Sequence, residues 1–81
     1  MLSQLKGSPK VVGIKQTRKA VLSGIALEVF VARDAEKRIV APALDACEQM
    51  GLSVTWIETM SELGRACGIE VGAAVAALVT E

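Results

Sequence analysis

The chain has 81 residues, enough for one compact domain over residues 1–81 and too few for two. Apolar residues, mostly Ala and Val, make up 52 % of it, the dense interior that so short a chain needs, while no run approaches the about 18 apolar residues of a membrane span. Nine basic residues cancel nine acidic ones, yet Lys6, Lys10, Lys15, Arg18 and Lys19 all fall within residues 1–20 with no acid among them, so the zero net charge conceals an end suited to an anionic partner.

Residues 1–6 read as a short helix that Gly7-Ser8-Pro9 ends. Lys10-Val11-Val12-Gly13 reads as a brief strand. Over residues 15–23 the pattern is helical, with Gly24 placed as the left-handed residue that closes the helix. Ile14, Thr17 and Val21 share one face at the spacing of a core contact. Lys15, Arg18 and Lys19 share another, at i, i+3 and i+4.

Residues 27–32 are β-branched and nearly continuous in apolar character, the pattern of a central strand buried on both faces. Residues 33–38 read as a charged loop. Pro42 suits the first turn of a helix, which runs to Met50 with Val40, Ala43, Leu44 and Cys47 as its apolar stripe and Gly51 as its stop. Residues 53–57 form the next strand, and a strand–helix–strand run with short links predicts that its two strands lie parallel. Phe30 and Trp56, the only aromatic residues, are both expected in the core.

Thr59-Met60-Ser61-Glu62 has the spacing of a capping box. The helix that it opens carries Met60, Leu63 and Cys67 inward and stops at Gly68. A loop of Ile69, Glu70 and Val71 lies between Gly68 and Gly72. Its apolar residues either plug the end of the core or await a partner. Residues 73–79, all small or branched, form the last strand. Together these elements predict a three-layer α/β/α sandwich on a mixed sheet of about four strands.

Little in the chain supports catalysis. It has no His, the commonest general base and zinc ligand. Cys47 and Cys67 form no CxxC pair and read as reduced core thiols of a cytoplasmic protein. Residues 1–10 lack the apolar core of a signal peptide. Gly13-Ile14-Lys15-Gln16-Thr17 lacks the first glycine and the lysine–hydroxyl pair of a phosphate-cradling loop. No metal, cofactor or catalytic residue is expected.

The cations of the first helix are the stronger clue. A helix N-terminus carries a partial positive charge and favours acids in its first turn, whereas this one holds Lys15, Arg18 and Lys19. A bound phosphate turns that unfavourable arrangement into a favourable one. With two aromatic residues the chain has no stacked-ring platform of the RRM or OB kind, so recognition has to come from a helix, a loop and the shape of the partner.

At Gly13-Ile14-Lys15-Gln16-Thr17-Arg18-Lys19-Ala20-Val21, and again at Leu63-Gly64-Arg65-Ala66-Cys67-Gly68-Ile69-Glu70-Val71, the chain resembles the ribosomal protein L7Ae family, most of all its short bacterial members that bind kink-turn RNA. The likeness runs in order from Lys10 to Val79. It implies an α/β/α sandwich that binds a duplex sharply bent at an internal loop with tandem sheared G·A pairs. By this resemblance the segment from Gly13 to Lys19 enters the groove at those pairs. Lys15 and Gln16 read guanine edges, Arg18 and Lys19 hold phosphates or the adjacent groove, and Ile69, Glu70 and Val71 cover extruded nucleotides. Archaeal and eukaryotic relatives carry Asn-Glu where this chain has Lys15-Gln16.

The resulting expectation is a monomeric, cytoplasmic, non-catalytic binder of kink-turn RNA, whether ribosomal RNA, a riboswitch or another transcript. A ribosome-associated protein working mainly through protein contacts is the second reading. An enzyme acting on a phosphorylated small molecule is the third.

Overall fold

A computed structural model of the chain describes residues 4–80. The elements are α1 (Gln4–Gly7), β1 (Lys10–Val12), α2 (Ile14–Leu22), β2 (Ala26–Ala32), α3 (Lys37–Met50), β3 (Val54–Ile57), α4 (Met60–Ala66) and β4 (Val75–Val79). Of the helix expected over residues 1–6, residues 1–3 lie outside the described residues. The described part is the single turn of α1, whose Leu5 is fully buried.

The four strands form one mixed sheet in the order β1-β4-β2-β3. β2 and β3 pair parallel, as their short helical crossover dictates, while β4 runs antiparallel to both β1 and β2. Val29, Phe30 and Val31 are consecutive and all fully buried. Neighbours along a strand point to opposite faces, so β2 is covered on both sides. On one face α2 and α3 pack against each other, and Val40 and Leu44 of α3 line a cavity with Trp56. α4 packs against β2, β3 and β4, and Cys67 just beyond its end feels the charge of Lys10. Helix, sheet and helix make the three layers expected.

Local differences from the sequence expectation have physical causes. α3 begins at Lys37 rather than near Pro42, which lies inside the helix. Its missing N–H leaves the Arg38 carbonyl without an i+4 donor, but thirteen other helical residues and the buried stripe of Val40, Ala43, Ala46 and Cys47 hold the helix through that position. A register shift between Ala26 and Glu28 lets Leu27 turn outward, where it is 60 % exposed. Trp56 is a correction. It is 44 % exposed and not a core residue, because β3 is an edge strand with no further strand beside it.

β1, β2 and β3 share one direction and β4 opposes them. The ends of β1, β2 and β3 and the start of β4 therefore lie at one end of the sheet. From that end α2, α3 and α4 all begin, and to it the α4–β4 loop returns. Among the described residues no helix is long and apolar enough to cross a membrane.

Candidate functional site

Gly13 opens α2 with φ of +107°, a backbone conformation that a side chain would strain. The Thr17 N–H donates to the Gly13 carbonyl at 3.0 Å, which leaves the N–H groups of Ile14, Lys15 and Gln16 without intrahelical acceptors. No side chain caps them, and the first turn holds no acid. Thr17, Ala20 and Val21 are buried and anchor the helix, and Ile14 packs at the margin of the core. That anchoring turns Lys15, Gln16, Arg18 and Lys19 outward, all exposed, along a shallow groove that Leu22 and Ser23 complete. Among the described residues none of the three cations makes an ion pair.

The loop after α4 is held by its backbone. Ile69 N–H donates to the Gly64 carbonyl at 3.1 Å, and Ala73 N–H to that of Met60 at 3.0 Å. Gly64 is buried, and a methyl group there would collide with the Val71 carbonyl oxygen. A methyl at Gly72 would press on Met60. Two glycines thus let helix and loop lie against each other, and the side chains of Ile69, Glu70 and Val71 face outward. Val71 is 71 % exposed and Ile69 37 %, with Glu70 exposed between them. The loop does not plug the core.

One hydrogen bond ties the two parts together. Gly13 N–H donates to the Val75 carbonyl at 2.9 Å, so the helix start sits beside the strand into which the loop leads. The structure therefore gathers Gly13, Lys15, Gln16, Arg18 and Lys19 at the same end of the sheet as Ile69, Glu70 and Val71.

Sequence reasoning missed one residue that shapes this end, Asp34. Asp34 Oδ1 accepts from the Met60 N–H at 2.8 Å, and Thr59 Oγ1 accepts from the Glu62 N–H at 3.0 Å. α4 thus has the cap its box predicted plus one from a distant loop that no local pattern announces. Gly64 was legible only as part of a motif. The thiols are free and buried, and burial raises both above the usual thiol range, with Lys10 pulling Cys67 slightly back. Buried neutral thiols of this kind are poor nucleophiles.

The sequence matches the ribosomal protein L7Ae/L30e/S12e/Gadd45 family over residues 3–81. The chain belongs to this family. An RNA-binding protein of Caldanaerobacter subterraneus subsp. tengcongensis is 53 % identical over 68 residues, which are 84 % of this chain and 83 % of the relative. An RNA-binding protein of a Geobacillus strain is 43 % identical over 75 residues, 93 % of this chain and 92 % of the other. Among solved structures, the 15.5kD RNA binding protein of Giardia lamblia superposes with a TM-score of 0.89 at 30 % identity, covering 99 % of this chain and 71 % of that one. These two relatives and this solved structure are all named for RNA binding and none of the three for catalysis.

Proposed function

We propose that the protein recognises kink-turn RNA and holds it in its bent form. In this reading Lys15 and Gln16 meet guanine edges of the tandem G·A pairs. Arg18 and Lys19 take phosphates or the adjacent groove. Ile69, Glu70 and Val71 lie against nucleotides extruded from the bulge. The observation that supports it is the pairing, at one end of the sheet, of an unpaired cationic helix start with an outward-facing apolar loop. A-form RNA hides its base edges in a deep groove, whereas a distorted internal loop offers edges and loose bases side by side. The target on this reading is a structured RNA such as ribosomal RNA or a riboswitch, bound by a monomer in the cytoplasm.

Filter binding tests it with an intact kink-turn, one whose G·A pairs are replaced by Watson–Crick pairs, and a plain duplex. The wild-type protein should bind the first far more tightly than the others. Gln16→Ala should lose about 1–3 kcal/mol on the intact kink-turn, by analogy with bidentate base readout in DNA, and hardly change on the duplex. Equal affinity of the wild type for all three RNAs would defeat the reading.

A further inference from the structure

Trp56 has no role in the interface just proposed. Its ring is a large apolar surface, and leaving it 44 % exposed forgoes much of the stabilisation that its burial would bring. It does not stand alone. With Ala32, Ala35, Val40 and Leu44 it encloses a cavity of about 460 Å³ between β3 and the first turns of α3, a volume in the range of small-ligand sites.

The rim of that cavity is polar and selective. The Arg33 guanidinium carbon lies 5.6 Å from the centroid of the Trp56 ring, and its Nε is paired with Glu58 Oε1 at 3.1 Å, so its charge is largely answered. Lys37 and Asp45 also line the cavity, and among the described residues neither makes an ion pair. One cation, one carboxylate that can only accept hydrogen bonds and one aromatic wall remain for a ligand.

The sheet register puts this cavity next to the candidate RNA interface. Gly13 bonds to Val75, Val75 is in register with Val31, and Val31 with Trp56. The helix start and the backbone of Trp56 thus stand in one row across the sheet, three strand spacings or about 14 Å apart. An RNA strand leaving the α2 groove along that end of the sheet reaches the cavity within a few nucleotides.

We infer that this cavity is a second nucleotide site, which takes one unpaired base flanking the bound RNA, stacks it on Trp56 and prefers a base with an exocyclic amino group. The inference rests on the RNA reading above. Stacking on an aromatic face tolerates any base, and Asp45 supplies the discrimination: adenine, cytosine and guanine each carry an amino donor, and uracil carries none. Lys37 answers the adjoining phosphate. A peptide side chain would also fit an apolar cavity, but it would leave the continuity with the α2 row without a purpose.

Trp56 is the only tryptophan, so its fluorescence reports the site directly. The experiment compares a blunt kink-turn RNA with the same RNA extended at either strand end by a few unpaired adenosines or uridines. The adenosine extension should quench the fluorescence and tighten binding by roughly 5- to 150-fold over the blunt RNA, the effect of one base–aromatic stack, and uridines should gain less. Trp56→Ala should bind the blunt RNA like the wild type, which also shows that it is folded, and should lose the extension's gain. Trp56→Phe should keep most of the gain, and Asp45→Ala should lose the preference for adenosine over uridine. Normal binding of the blunt RNA with no quenching and no gain from any extension would overturn the inference, leave the kink-turn reading intact and assign the cavity to a protein partner. Failure to bind any kink-turn would remove both.

Discussion

Arg18 and Lys19 are exposed and, among the described residues, make no ion pair, so they report on binding without reporting on folding. Each phosphate contact removed from single-stranded or duplex RNA should shallow the slope of log K against log salt by about 0.7 to 0.9. Arg18→Ala and Lys19→Ala should therefore each weaken RNA binding, with that change in slope and an unaltered thermal melt. An unchanged slope in both would take the ridge out of the interface. Their exposure was legible in the sequence, because i, i+3, i+4 spacing opposite Thr17 and Val21 leaves no other direction. Val71 was not legible: an apolar residue between two glycines suits a core plug as well as a contact. At 71 % exposure, Val71→Asp should change stability by no more than about 0.5 kcal/mol while weakening RNA binding if a base packs there. A normal affinity with a normal melt would remove Val71 from the site. Trp56 was misread for a related reason. Alternation shows that a strand has two faces, but not that the strand is at the edge of the sheet.

At the scale of the element, α4 and its loop act as one unit. The helix is fixed at its start by Asp34 and Thr59, and the loop is fixed to the helix by the carbonyls of Gly64 and Met60. The close approach depends on Gly64, where an added methyl meets the Val71 carbonyl. Backbone cannot swing aside as a flexible side chain does, so Gly64→Ala should destabilise the protein by about 1–3 kcal/mol through overpacking. The displaced loop should lose RNA affinity as well. Urea unfolding and RNA binding measured on the same preparation check both, and an unchanged midpoint would mean that helix and loop separate freely. The helix itself was legible from its capping box and its Gly68 stop. The start of α3 was not, since Pro42 resembles a first-turn proline, and only the packing of Val40 against the sheet shows that the helix is already under way.

For the whole molecule, the order β1-β4-β2-β3 converts separate local features into one surface. The number of strands, the parallel pair and the sandwich followed from periodicity and link length. The antiparallel insertion of β4 beside β1 did not, because it joins residues more than sixty positions apart. It is this pairing that seats the loop before β4 next to the start of α2. A surface assembled on a packed sheet is a rigid template, and a rigid template selects among the shapes of its partner. A kink-turn RNA interconverts between extended and bent forms, and only the bent one presents G·A edges and extruded bases together. A protein that binds that form alone shifts the equilibrium by its differential affinity. Where the bent form is about one part in a hundred without magnesium, apparent affinity falls about a hundredfold, or about 2.7 kcal/mol. With dyes on the two RNA arms, adding the protein in magnesium-free buffer should raise energy transfer at saturation to its level in magnesium. Magnesium should tighten apparent binding by bending the RNA in advance, until its screening of Lys15, Arg18 and Lys19 offsets the gain. Saturable binding with no rise in energy transfer would show that the template accepts extended RNA, and selection by shape would have to be abandoned.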